Sequence, residues 1–362
     1  MSTEAKRIRG LDGLRTIAIL LVFANHKTPE WHVQALNLGG FGVHLFFVLS
    51  GFLIIGILYR QRLDIEAQKT TPKAEWGRFL VNRSFRIFPI YYLWIAVVLA
   101  LGAVGLAPKL GLDQVFFAAT YTTNLWIGHV LHAYPDHTGH LWSLAVEEQF
   151  YLLAAPLLLF LPSRFAKLVC WAVIAVGILS AIRALWAQDG MLFYVGSLPN
   201  FALMCIGGLL ALNIDRFKVP TWLGVTCLVL FVLSSVPIYY AKPLGPWVDQ
   251  PITFAVVALV APVIASLVHN QDSVFARLLD WGPIRLLGRV SYSFYLFHQI
   301  IRFEAIWPQL NGPITVTADF VATVALSTLS WVAFERPVLN LRTRLLRKPE
   351  ALPPAVAAAA KA

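Results

Sequence analysis

Long apolar runs alternate with short polar segments along most of the chain. They fall at about 14–27, 41–59, 87–106, 143–161, 168–187, 194–212, 220–239, 252–269, 287–306 and 316–334. Wound as α-helices rising about 1.5 Å per residue, they match or nearly match the roughly 30 Å hydrocarbon core of a bilayer. One further stretch, "LDQVFFAATYTTNLW" at 112–126, is apolar but short and rich in Thr. Counting it as a crossing would put "PSRFAK" outside and invert every later loop. It is therefore read as a re-entrant or half-inserted segment, which is tolerated only where protein buries it or where it lines a polar cavity, so it is expected to wall a site. The pattern predicts an all-α polytopic membrane protein: a bundle of about ten transmembrane helices plus this one re-entrant segment. No repeat of solenoid period and no inverted halves are visible. Residues 1–345 read as one membrane domain, and the Pro/Ala-rich stretch 346–362 reads as a disordered cytoplasmic tail.

Composition agrees with that pattern. Of 362 residues, 58% are hydrophobic and 13% charged, and the mean hydropathy of +0.68 lies outside the range of soluble globular domains. A net charge of +10 would suggest nucleic acid in a soluble chain. Here the Lys and Arg residues sit between apolar runs, and with both termini cytoplasmic the inner segments hold 24 of the 29. Lys27, Lys109, Arg183, Lys242 and Arg302 are left outside, a bias that supports this orientation. The basic "KRIRG" followed by Leu14 to Ala24 resembles a signal peptide, but no A-x-A-like site follows, so a retained first helix is expected. Cys170, Cys205 and Cys227 lie inside apolar runs without metal-ligand spacing and read as packing residues.

Ionisable residues inside such runs cost roughly 2.5–3.5 kcal/mol each at a helix centre, which makes them candidates for function. In "RTIAILLVFANH", Arg15 and His26 stand eleven positions apart. Eleven steps of about 100° make three turns plus about 20°, so the two share one helical face about 16 Å apart along the axis. Anchoring at the two membrane surfaces is the plainer account of the pair. In "RFLVNRSFRIFPIYY", Arg83 and Arg86 are three apart and share a face at the cytoplasmic end of the third span. They too could be anchors, yet paired arginines are also the preferred fork for phosphate.

In "HTGHLWSLAVEEQFYLL", the spacing of His140, Ser143 and Glu147 places them on one face of a helix entering from the outside. A carboxylate there could orient a base or neutralise an imidazolium, whereas Glu148 fits better as half of a surface acidic pair. The loop "GHVLHAYPDHTGH" carries His129, His132, His137 and His140 with Asp136, but the spacing matches no metal motif and no metal is expected. In "GRVSYSFYLFHQIIRFE", Arg289, His298, Arg302 and Glu304 lie along one run, and His298 either lines the same cavity or is a hydrogen-bonded core residue.

With these residues in view, the chain resembles the acyltransferase-3 family of integral membrane acyltransferases over essentially its whole length. The resemblance rests on "RIRGLDGLRTIAILLVFANH", "GGFGVHLFFVLSGFLI", "NRSFRIFPIYY", "HLWSLAVEEQFYLL" and "GRVSYSFYLFH" together. It implies a multi-pass protein of a bacterial cell membrane that transfers an acyl group, usually acetyl, from cytoplasmic acyl-CoA to an acceptor hydroxyl. The acceptor is expected to be a glycan, glycolipid or small molecule, often on the outer face. Acyl-CoA is a substrate, and no permanently bound cofactor is expected.

The family's Arg-ten residues-His pattern falls on Arg15 and His26, its Arg-two residues-Arg pattern on Arg83 and Arg86, and its Glu on Glu147. His26 is expected as general base with Glu147 orienting it. Arg15, Arg83, Arg86, His140, Ser143, Glu148 and His298 are expected to bind substrate. A covalent acyl relay and hand-over to a second, soluble domain stay open. From the residues alone, a membrane transporter, or a non-catalytic subunit of a glycan export complex, is the alternative.

Overall fold

The computed structural model describes residues 7–28, 36–105, 109–241, 245–303 and 312–346. The tail expected at 346–362 lies outside the described residues from 347 onward, as does Glu304. Every regular element among the described residues is helical. Among the described residues, eight stretches are long and apolar enough to cross a membrane: Leu38–Glu66, Pro72–Ala103, Gly139–Phe160, Ser163–Trp186, Gly190–Leu212, Thr221–Tyr240, Pro251–His269 and Gly312–Arg344. The chain is an all-α polytopic membrane protein. Two of the apolar runs are built differently from these eight. The first is helix α1, Leu11–Lys27, of 17 residues. The ninth is a pair of short helices, Gly282–Arg289 and Ser291–Phe297.

The long elements that place the site are α2 (Leu38–Glu66), α3 (Pro72–Ala103), the short α4 (Leu112–Ala119), α5 (Trp142–Phe160), α6 (Ala166–Trp186) and α7 (Ser197–Leu212). The two short helices just named follow as α8 and α9, and Gly312–Ser330 is α10. Helix α3 starts fifteen residues before its apolar run because Thr71 caps it, accepting from the Ala74 amide at 3.3 Å, and Pro72 occupies the first turn. Hydropathy does not register such a polar extension, which carries Arg83 and Arg86 within the helix proper.

Helix α1 is wedged between α2 and α8. Its face of Leu14, Ala18, Ile19 and Val22 is fully enclosed. Small residues let the backbones touch, which substitutes for hydrophobic drive between helices in lipid. A Cβ on Gly288 of α8 would lie 1.9 Å from the Asp12 carbonyl oxygen, and Thr16 donates to the Ile284 carbonyl at 2.6 Å. The same device joins α2 to α7: a Cβ on Gly51 would fall 1.8 Å from the Met204 carbonyl, and one on Gly207 1.9 Å from that of Val48. At the other end of α1, Lys27 pairs with Asp319 of α10 at 2.9 Å, both side chains enclosed, and donates to the Ile301 carbonyl. Asp319 also accepts from the Phe303 amide at 2.9 Å, so this ion pair straps residues 301–303 onto α1 and α10.

Segment 112–126 forms α4 and a single turn, Thr123–Trp126, separated by Tyr121 in the left-handed region at φ 53°. Eight helical residues extend about 12 Å, well short of a bilayer. The break is clothed by protein, as non-helical backbone at membrane depth requires. Tyr91 and Tyr92 of α3 donate to the carbonyls of Ala118 and Ala119, and Gln149 of α5 donates to that of Tyr121 at 2.8 Å. No residue of 112–126 lines either cavity described below, contrary to the expectation that it walls the site. Thr120 bonds within the segment, to the Phe116 carbonyl and Thr122, while Asn124 ties it to Val195, Ser197 and Gln149. Cys170, Cys205 and Cys227 are buried and unpaired, as packing residues should be.

Candidate active site

Two cavities open toward α1, one near each end. The first, of about 300 Å³, is lined by Arg15 of α1, Ser50 and apolar residues of α2, Arg83 and Arg86 of α3, Ser143, Glu147 and Tyr151 of α5, and Tyr292 and Tyr295 of α9. Three arginines face one carboxylate there. Arg15 is held by Asp12 at 3.0 Å, one turn earlier. Arg83 lies over the rings of Phe79 and Tyr151, 5.7 and 5.6 Å from their centroids. Glu147 accepts from Ser50 and, at 2.6 Å, from the Tyr151 hydroxyl. Neither Arg83 nor Arg86 has a carboxylate at ion-pairing distance among the described residues, so with three arginines to one carboxylate this chamber is suited to an anion.

The second cavity, of about 340 Å³, is lined by Asn25, His26, Asp136, His137, His140, Gln299 and Arg302, with Tyr134, Trp142, Tyr194 and Tyr295 as aromatic walls. Trp142 and Tyr194 meet with ring centroids 4.9 Å apart. His140 is 6% exposed, and neither of its ring nitrogens meets a partner in hydrogen-bond geometry; Asn25 Oδ1 is likewise unmatched. An unmatched buried polar atom costs about 1–3 kcal/mol, which a polar ligand in the cavity would recover. Planar amides and aromatic rings around unmatched polar atoms suit a hydroxyl-rich molecule.

Val43 and Tyr295 line both cavities. The Tyr295 hydroxyl is fixed between Ser143 Oγ at 2.7 Å and the His140 carbonyl at 2.8 Å. The shared face of Arg15 and His26 therefore opens onto two adjoining chambers with a thin partition, rather than onto a single one.

The candidate residues separate accordingly. Arg15, Arg83, Arg86, Ser143 and Glu147 meet in the first chamber, and His26 and His140 in the second. Glu147 bonds to Ser50 and Tyr151, while His26 Nδ1 meets His298 Nε2 at 2.9 Å. His298 is fully enclosed and lines neither chamber. Glu148 also lines neither; it is 7% exposed with Oε1 unmatched, so the surface acidic pair expected for it is not formed. Adjacent residues of a helix stand about 100° apart, so Glu148 leaves the face that Glu147 turns to the chamber and is buried in the bundle.

Of the loop histidines, His132 approaches Asp189 at 3.7 Å, while His137 and Asp136 reach the second chamber. Among the described residues no three His, Cys, Asp or Glu converge to hold a metal. Sequence reasoning passed over Ser50, Tyr151, Tyr295 and Asp319. The lone acidic residue in an apolar run was a readable signal for Asp319. Hydroxyl groups of Ser and Tyr in a span carry none.

Residues 8–335 match the acyltransferase-3 family, described as an acyltransferase domain. Over 354 residues the chain is 27% identical to the O-acetyltransferase OatA of Staphylococcus aureus, covering 91% of this chain and 57% of that protein. It is 28% identical over 359 residues to the putative peptidoglycan O-acetyltransferase YrhL of Bacillus subtilis, covering 91% and 55%. Against the peptidoglycan O-acetyltransferase OatA of Listeria monocytogenes it is 27% identical over 369 residues, covering 92% and 56%. The chain thus spans little more than half the length of these relatives. No solved structure matches it. A family match running from residue 8, just before α1, to residue 335, past the end of α10, takes in every wall of both chambers, and the chain belongs to the acyltransferase-3 family of membrane acyltransferases.

Proposed function

We propose that the protein is a membrane O-acyltransferase, most simply an O-acetyltransferase, that moves an acyl group from cytoplasmic acyl-CoA to a hydroxyl of a glycan or glycolipid presented on the outer face. The observation that carries this reading is the pair of chambers meeting at Val43 and Tyr295, one rich in arginine and the other holding His26. Arg15, Arg83 and Arg86 take the phosphates of the donor, and the pantetheine arm runs along the apolar wall of α2 toward the partition. The acceptor occupies the second chamber, where Trp142 and Tyr194 offer a platform for a sugar ring and His140 and Asn25 gain hydrogen bonds. Relatives named for peptidoglycan make a cell-wall glycan the first acceptor to try.

In the transfer, His26 takes the proton of the acceptor hydroxyl as its oxygen bonds to the thioester carbonyl carbon. The C–S bond then breaks, and the proton passes from His26 to the departing thiolate, leaving an ester and CoA thiol. Direct transfer needs no covalent enzyme intermediate. Purified protein in lipid nanodiscs, given labelled acetyl-CoA and a cell-wall oligosaccharide, should form an acetyl ester and release thiol. His26→Ala should lower the rate by about 10²–10⁴ while still binding CoA. Transfer by His26→Ala at near wild-type rate would overturn the role of His26, and absence of thiol release with any acceptor would overturn the function.

A further inference from the structure

The geometry points to His298 as a positioning residue that locks His26 in the one tautomer able to act as a base toward the second chamber; this rests on the proposed transfer reaction. Three observations carry it. His298 Nδ1 lies 2.6 Å from the carbonyl oxygen of Tyr295. A carbonyl oxygen only accepts, so the hydrogen of that contact belongs to Nδ1. With no carboxylate among its hydrogen-bond partners, the enclosed ring is neutral imidazole, and Nε2 therefore carries the lone pair.

That lone pair meets His26 Nδ1 at 2.9 Å. The ring centroids are 5.1 Å apart with planes inclined by 22°, the arrangement of two nearly coplanar rings meeting edge to edge, as an in-plane N–H···N bond requires. His26 must be the donor, so its Nδ1 holds the hydrogen and its Nε2 is left with the lone pair. His26 lines the acceptor chamber and is exposed there, whereas His298 lines neither chamber.

The chain of bonds is directional because it ends on a backbone carbonyl. His298 cannot pass a proton onward: its Nδ1–H is tied to an oxygen that takes none away. When His26 Nε2 receives the acceptor's proton, the Nδ1–H bond to His298 becomes charge-assisted and stabilises the imidazolium. His298 thus takes the part that a carboxylate plays for the base of a serine hydrolase, but as a neutral group. His140 packs edge-on against His298, its ring 5.3 Å away and at 81° to it.

The test uses the full chain in lipid with isotope-labelled histidine. Solid-state NMR distinguishes Nδ1–H from Nε2–H imidazole by ring carbon and nitrogen shifts, and the His26 signal is identified as the one lost in His26→Gln. Wild-type His26 should be the Nδ1–H form, with an N–H···N coupling to a second histidine. In His298→Phe the His26 signal should move to Nε2–H, and kcat should fall at least about tenfold with donor KM unchanged. In His298→Gln, whose amide oxygen can accept from Nδ1–H, the tautomer and part of kcat should return. An Nε2–H His26 in the wild type overturns the inference, and that measurement holds even where a variant fails to fold. So does a kcat for folded His298→Phe within twofold of wild type. Failure of the wild type to transfer any acyl group would instead count against the enzyme reading, since the tautomer is read without turnover.

Discussion

Each arginine of the first chamber reaches it with a different local balance, and the differences have consequences. Arg15 is braced by Asp12, which is in turn bonded to Arg7 at 3.0 Å, so its position is set before any anion arrives. Arg83 is steadied by the faces of Phe79 and Tyr151 instead, and Arg86 stands at the exposed mouth. A charge-assisted contact to phosphate contributes roughly 1.5–3 kcal/mol. Arg83→Ala and Arg15→Ala should therefore raise the donor KM on the order of tenfold or more, with Arg86→Ala affecting it least because water screens an open mouth. Steady-state kinetics against acetyl-CoA, with CoA binding by calorimetry, would check this ranking. An unchanged donor KM in folded Arg83→Ala would leave that residue only an anchoring role. Glu147→Gln should act on the donor side as well, since its hydrogen-bond partners are Ser50 and Tyr151.

At the level of elements, the site depends on how closely helices approach. Helices α2 and α5 supply two walls of the first chamber, and α2 is set in place by backbone contact with α7 at Gly51 and Gly207. Any side chain at either position must push the two backbones apart, because the obstructing atom is a carbonyl oxygen and not a flexible side chain. Gly51→Val is expected to reduce the yield of monodisperse protein sharply, and to lower its melting temperature in detergent by several degrees where it folds. Gly77, whose Cβ would meet nothing within 4 Å, is the matched control and should tolerate Ala with no loss. Size-exclusion chromatography and thermal melts would decide; normal behaviour of Gly51→Val would mean that α2 and α7 are not packed in this way.

For the whole molecule, the donor and acceptor can be supplied from opposite sides only if the arginine chamber faces the cytoplasm. The distribution of Lys and Arg supports that orientation, with both termini inside. A cysteine placed in the Arg164–Lys167 segment should then be protected from a membrane-impermeant maleimide in intact cells, and one placed at Asp136 should be labelled. Labelling at 164–167 from outside would invert the assignment. The prediction also bears on α4, since a bundle in which 112–126 crossed would put Asp136 inside and Arg164–Lys167 outside.

Much of this protein was determined by the sequence by itself. Apolar length and charge placement suffice for an all-α membrane protein, because a bilayer permits little else, and the helical repeat suffices to put Arg15 and His26 on one face. The chain's motifs also carry its family. Other features needed tertiary structure. The partition at Tyr295 and the bond from His26 to His298, 272 positions apart, depend on how closely α1, α8 and α9 pack. Hydropathy shows which residues leave water, but not which neighbours they find. The burial of Glu148, the breaking of the ninth run into two short helices and the Lys27–Asp319 strap are of this kind. In the strap, a charge inside the bilayer is fixed by a partner distant in sequence, since only a specific contact repays its removal from water.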